Sequence, residues 1–313
     1  MSAPLRIGLA GCGRWGRNIL RDLLALGCEV EVADPDGAAR SKALEMGARR
    51  AVSAVSDWSG TFHGYVIAAW TTQHAPVIEA LLASGQPIFC EKPLTCSLAD
   101  AERIVDEAGE RVFVMHKWRY HPGVEALARL AREGAYGAVK EVLTRRLQWT
   151  TPHGDVDAIW SLPPHDLSMI YGIIGHMPEP RAATGVSDLD GSARSIVGLL
   201  GGEREPRAVI HVAANWPVVE RVVTVVFEDA VAVLHDPLAD HITVYPGRGK
   251  QAYASAPDNA MRIGVSTEFP LVRELRVFLD HLHGGPPPPT GAVEGALVVG
   301  TLARLRALAG LSV

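Results

Sequence analysis

Four cysteines in 313 residues are too few, and too irregularly spaced, for a disulfide framework or a zinc site. Cys12, Cys28, Cys90 and Cys96 all lie in the first third with no CxxC pair, and read as small buried residues of a reducing compartment. Positive charge is also short. Against 35 acidic residues stand 30 basic ones, a formal charge of −5, which gives no electrostatic reason to expect nucleic acid or an anionic membrane as partner. No apolar run is long enough to span a bilayer. The first such run leads into a glycine-rich loop rather than a cleavage site, so a cytoplasmic protein is expected. Lysine is scarcest among the charged residues, at five. What remains is ordinary: 48% hydrophobic and 21% charged residues suit a globular chain, and the length suits two domains.

The chain is organised around its opening. An apolar strand, Ile7 to Ala10, runs into Gly11-Cys12-Gly13-Arg14-Trp15-Gly16, and a helix follows with Ile19, Leu20, Leu23 and Leu24 on one face. Gly11 permits the tight turn, Gly13 lets a pyrophosphate approach the backbone, and Gly16 lets strand and helix pack closely. The helix start offers N–H groups and the positive end of its dipole to the phosphates. Asp34 ends the next strand, Glu29 to Ala33, 23 positions after Gly11. A carboxylate there accepts hydrogen bonds from the adenosine ribose and repels a 2′-phosphate, which favours NAD over NADP. Asp34-Pro35-Asp36-Gly37 is also a good turn sequence in its own right, and Arg40 keeps NADP open.

Strand and helix alternate through the first ~120 residues, as in parallel-sheet units. Helices are expected near residues 38–46, 75–84 and 98–108, and strands near 49–52, 65–70, 87–90 and 111–116. Ligands of such sheets bind beyond the carboxyl ends of the strands. Residues 11–16, 70–74 and 91–93 and those after Met115 all fall on that rim. From Trp118 the pattern changes. A helix (123–133) and a strand (139–148) precede a helix holding Trp160 to Gly172. Short runs near 182–186, 195–200, 208–214, 222–227, 230–234 and 242–245 then imply an antiparallel sheet. A helix near 269–281 leads to Pro286–Pro289, which favours an extended connection. The apolar-rich segment 292–308 is expected as a helix against the first domain. The expected class is α/β: an N-terminal Rossmann domain (1–118), a C-terminal α+β domain with a mostly antiparallel sheet (119–285), and a proline-rich connection with a closing helix (286–313).

These residues show a family resemblance. Gly11–Gly16, Asp34, His74, Glu91-Lys92-Pro93, Arg119 with Pro122, and Pro164-His165-Asp166-Leu167-Ser168 resemble the Gfo/Idh/MocA oxidoreductases, the group of glucose–fructose oxidoreductase and inositol dehydrogenase. The resemblance implies a nicotinamide-dependent dehydrogenase of a sugar, polyol or nucleotide-sugar, homo-oligomeric (dimer or tetramer) through its second sheet. It implies NAD contacts from the glycine loop, Asp34, Trp70, His74, Glu91 and Lys92, and substrate contacts from Lys92, Arg119, Tyr120, Trp160 and His165. Lys92 would hydrogen-bond the reacting hydroxyl and stabilise its alkoxide, and His165 would take the hydroxyl proton. The structural alternatives are a solvated lysine after an edge strand and a histidine packed under Trp160. His116 and Lys117 are expected at the substrate entrance. Arg145, Arg146 and Trp149 suit either a sugar phosphate or a solvated strand face.

Two departures stand out. Many family members carry Asp four residues before the histidine, and this chain has Ser161 there, which supplies no charge. Ala69-Trp70 replaces a common Thr-Pro. Two further readings remain: an NAD-dependent glycosidase of the same family, and a dinucleotide-sensing regulatory protein that needs no acid–base pair.

Overall fold

A computed structural model describes residues 3–150, 154–247 and 260–311. In chain order the elements are β1 (Arg6–Ala10), α1 (Gly16–Ala25), β2 (Glu29–Ala33), α2 (Gly37–Glu45), β3 (Arg50–Val52), β4 (Gly64–Ile67), α3 (His74–Leu82), β5 (Ile88–Glu91), α4 (Leu98–Ala108) and β6 (Val112–Met115). There follow α5 (Pro122–Glu133), β7 (Val139–Leu147), α6 (Ala158–Ser161), α7 (Pro163–Ile174), β8 (Pro180–Ser187), β9 (Ala193–Gly202), β10 (Glu205–Ala213), β11 (Glu220–Phe227), β12 (Ala230–Leu234), β13 (His241–Pro246), β14 (Met261–Gly264), α8 (Pro270–Leu282) and α9 (Ala292–Leu308).

The chain divides into two compact units: Met1–His116 with Leu271–Val299, and Lys117–Pro270 with Gly300–Val313. The first holds a six-stranded parallel sheet in the order β3-β2-β1-β4-β5-β6, so the strand order reverses between β1 and β4. Its core joins Ile7 and Leu9 of β1 to Ile19, Leu20 and Leu23 of α1, all fully buried. The expected boundaries at 118 and 285 differ from this partition. Leu271, Leu275, Phe278 and Leu279 line one face of α8 and bury in the core of the first unit, where Phe278 stacks on Phe89 at 4.9 Å. Helix α9 contributes Ala292–Val299 to the first unit and its remainder to the second. The proline run before it is irregular, and just beyond it Thr290 O accepts the Val114 N–H at 2.7 Å.

The second unit holds an eight-stranded sheet, β14-β13-β12-β11-β7-β10-β9-β8, antiparallel except where β10 runs parallel to β7. Helix α7 packs on β7 and β10. Residues alternate across the strands as a half-covered sheet requires. Val142, Ile196, Ile210 and Val225 are buried, whereas Val197 and Leu199 on the other face are 39% and 40% exposed.

Local differences from expectation have identifiable causes. Strand β4 stops at Ile67, not at residue 70, because the glycine turn crosses it there: a Cβ on Gly11 would lie 2.6 Å from the backbone of Ala68 and Ala69. The helix expected around Trp160–Gly172 is two helices, parted at Leu162, since Pro163 and Pro164 have no N–H to continue the ladder. Strand β14 lies outside the expected runs: at four residues, its Met261–Ile263 alternation is too short to mark a strand.

Candidate active site

In the first unit the glycine loop adopts the geometry that its sequence demands. Gly11 has φ +90°, a left-handed conformation that favours glycine, and a Cβ on Gly16 would lie 2.2 Å from Gly11 O. Around Gly13 the corresponding space is open, with nothing within 4 Å. No side chain caps the start of α1 at Trp15, so that helix terminus is available to an anion. Arg14 is exposed beside it. At the end of β2 the buried Asp34 carboxylate is fixed through both oxygens: Oδ2 accepts the Cys12 N–H at 2.7 Å and Oδ1 the Asp36 N–H at 2.9 Å. Each oxygen retains a lone pair for a ribose hydroxyl. Arg40 Nη1 donates to the carbonyls of Asp34 and Pro35 at 2.7 and 2.9 Å, which holds its guanidinium at the same corner. The turn, the open cradle and the fixed carboxylate therefore fit a dinucleotide. Cys12 belongs to the scaffold: burial, aided by the Asp34 charge, pushes its thiol up to about 11, so it stays protonated near neutrality.

Strand β5 delivers Glu91, Lys92 and Pro93 at its carboxyl end. Trp15 Nε1 donates to Glu91 Oε1, and Glu91 Oε2 accepts the Lys92 N–H at 3.0 Å. Glu91 thus ties the glycine loop to the lysine. The Lys92–Pro93 bond is cis, and the Lys92 side chain is buried. His74 lies beneath this turn, with Nδ1 2.8 Å from Pro93 O and Nε2 3.3 Å from Ala69 O. Its ring is engaged with backbone on both sides, a bracing position. Trp70, 59% exposed, stands at the rim.

In the second unit His165 is the third residue of α7, where its carbonyl accepts the Ser168 hydroxyl at 2.9 Å. The Trp118 indole meets the imidazole edge-on at 6.3 Å, and His121 stacks on the same indole at 5.2 Å. His121 also caps α5, accepting the Gly123 N–H at 3.0 Å through Nδ1, while Nε2 donates to Pro237 O at 2.8 Å. Arg146 spans Trp118 and Asp166: its guanidinium carbon lies 4.8 Å from the indole centre, and Nε donates to Asp166 Oδ2 at 2.6 Å. Burial pushes the Asp166 carboxyl up, against the pull of Arg146. Trp118, the centre of this stack, gave no signal in the sequence beyond being an aromatic next to Arg119.

The neighbours of His165 in sequence do other work. Asp157 caps α6 by accepting the N–H groups of Ile159 and Trp160, and receives Arg306 Nη1 at 2.8 Å. Arg306 also lies over the Trp160 ring at 5.3 Å. Ser161 is fully buried. Of the residues expected at a substrate entrance, His116 and Tyr120 are buried, as Lys92 and His165 are, and Arg119 runs along Gly172 to sit 5.8 Å over the Tyr171 ring. Lys117 is half-buried. Arg145 faces solvent and pairs with Glu220 at 2.9 Å, opposite in direction to Arg146, and Trp149 is exposed. Among the described residues no cluster of His, Cys, Asp and Glu has the makings of a metal site, and no helix is long and apolar enough to cross a membrane.

Comparison with known proteins agrees with this geometry. The family described as "Oxidoreductase family, NAD-binding Rossmann fold" matches residues 5–116. UDP-N-acetylglucosamine 3-dehydrogenase of Acidithiobacillus ferrooxidans is 28% identical over 190 residues, 58% of this chain and 58% of that enzyme. Inositol 2-dehydrogenase 3 of Saccharopolyspora erythraea is 32% identical over 142 residues, 42% of each chain. The match thus spans about half the length of these relatives. The solved structure of the Acidithiobacillus enzyme superposes with a TM-score of 0.82 at 22% identity, covering 98% of both chains, which shows a shared fold. Over residues 5–116, with Glu-Lys-Pro at the end of its fifth strand, the Rossmann unit matches the Gfo/Idh/MocA oxidoreductase family, and the chain as a whole shares the fold of the Acidithiobacillus enzyme.

Proposed function

We propose that the protein is a dehydrogenase, using NAD in preference to NADP, that oxidises a secondary alcohol of a sugar, polyol or nucleotide-sugar. The observation that carries this reading is the link from Trp15 through Glu91 to Lys92, which fastens the one buried lysine among the described residues to the loop that fits the dinucleotide. Bound NAD would accept the hydride. The rest of the chemistry belongs to side chains. The Lys92 ammonium, a compact donor, hydrogen-bonds the reacting hydroxyl and stabilises the negative charge that grows on its oxygen. The His165 imidazole removes the hydroxyl proton, a role suited to a group that titrates near neutrality. Asp34 holds the ribose hydroxyls and disfavours a 2′-phosphate.

The test is NADH formation across a panel of polyols, sugars and nucleotide-sugars, repeated for Lys92→Ala and His165→Ala. Each variant is expected to lose ~10²–10⁴ in turnover, about 2.7–5.4 kcal/mol of barrier. Turnover within threefold of the parent in both variants would remove the assignment.

The open face of the second sheet, with Val197 and Leu199 exposed, is proposed as the surface on which copies of the chain associate. Light scattering is expected to give a dimer or tetramer, and Leu199→Lys to shift it toward monomer. A parent chain that runs as a monomer at micromolar concentration refutes this.

A further inference from the structure

Arg146 and Arg221 stand directly opposite each other across the antiparallel β7–β11 pair, on the face that receives α7. Cross-strand partners at such positions have Cβ atoms about 4.5–5.5 Å apart, and like charges there repel. Two guanidinium groups at this spacing call for two anions, and the described residues place one within ion-pair distance. Asp166 binds Arg146 with both side chains buried. Arg221 has no carboxylate within ion-pair distance among the described residues. The exposed Asp236 acts on it only from a distance and accepts the Leu238 N–H instead, at 2.7 Å. The neutral Gln148 Oε1 accepts from Arg221 Nη2 at a long 3.3 Å. Arg221 Nε is buried with no acceptor among the described residues. Burial, then the Arg146 charge, push the Arg221 guanidinium down from its ordinary value, against Asp166 and Asp236. It stays protonated nonetheless. A half-buried cation with an unfilled donor is costly unless something anionic visits it.

The place of this cation matters. Arg146 links it to the Trp118 indole and to Asp166, the residue that follows His165. We propose that Arg221, with Gln148 beside it, binds an oxyanion of the substrate, phosphate or carboxylate, so that the alcohol oxidised belongs to an anionic sugar derivative. The planar guanidinium fork matches either group. The inference rests on the dehydrogenase reading for its reaction, though the anion site itself is independent of it. Arg145, one position away on the opposite face and already paired with Glu220, has no such role.

The test is calorimetric titration of the whole chain, saturated with NAD so that the dinucleotide cradle is filled. The probes are UDP, D-glucuronate and neutral myo-inositol, and the proteins are the parent, Arg221→Gln, Arg221→Lys and Arg145→Gln, each checked for a cooperative melt. At least one anion is expected to bind, with UDP alone indicating a phosphate site and glucuronate alone a carboxylate site. Arg221→Gln is expected to weaken that binding by about 10- to 100-fold. Arg221→Lys should recover part of it even if the glutamine variant fails to fold, and Arg145→Gln should leave it unchanged. Failure of both anions to bind, an Arg221→Gln affinity within twofold of the parent, or an equal loss in Arg145→Gln overturns the proposal. NADH formation read alongside separates the two ideas. Anion binding that depends on Arg221 in a chain that never reduces NAD keeps the site and discards the dehydrogenase, whereas oxidation of myo-inositol with no anion effect does the reverse.

Discussion

Two glycines of one loop do different things, and single substitutions should separate them. Gly16 has no room for a side chain, since its Cβ would meet Gly11 O at 2.2 Å, whereas Gly13 faces open space. Gly16→Ala is therefore expected to cost about 1–3 kcal/mol of stability through overpacking. Gly13→Val should leave the melting temperature nearly unchanged and weaken NAD binding by about tenfold or more, because only the visiting pyrophosphate needs that space. Denaturant titration and NAD titration of both variants read the two effects. A stable Gly16→Ala, or a Gly13→Val that binds NAD as the parent does, contradicts the assignment. At this scale the sequence was most legible, because steric demands on a glycine turn are local. The motif marks Glu91 and His74 but not their partners. A hydrogen bond from Trp15 to Glu91 spans 76 positions, and no local rule couples them.

Elements show where legibility declined. The break at Leu162 has a local signal, Pro163-Pro164 opening α7, which the spacing of apolar residues overrides. The turn itself is held from far away: Arg306, 149 positions beyond Asp157, closes on the carboxylate that caps α6. Ser161 leaves this segment without the charge that a carboxylate would bring, and the chain sets His165 against Trp118 instead, with Arg146 and Asp166 behind the indole. The buried Arg306 side chain should matter for stability. Arg306→Met is expected to lose about 1–3 kcal/mol, since it removes the charged partner of Asp157 and leaves that carboxylate only the N–H groups of Ile159 and Trp160. Asp157→Asn should lose less, because asparagine still caps a helix. Chemical denaturation of the two variants checks the order. A loss below about 0.5 kcal/mol for Arg306→Met would mark the pair as an ordinary surface contact.

For the molecule as a whole, the two-domain plan and the change from parallel to antiparallel sheet followed from periodicity, since strand alternation and helix spacing are written locally. The membership of α8 did not. Its apolar face, Leu271, Leu275, Phe278 and Leu279, shows that it must be buried but not where, and residues 1–116 are incomplete without it. Phe89, Phe113 and Met115 of the parallel sheet share one core with α8. A fragment ending at residue 118 would uncover that apolar surface and would also lose the Thr290 acceptor of Val114. It is expected to bind a hydrophobic dye, to melt without cooperativity and to bind NAD far more weakly than the whole chain, as a unit that has lost part of its core should. Phe278→Ala in the whole chain is the milder form of the same lesion, with an expected cost of about 3–5 kcal/mol. If the fragment instead melted cooperatively and held NAD with the affinity of the intact protein, α8 would be a surface addition, and the first unit would fold from contiguous sequence alone.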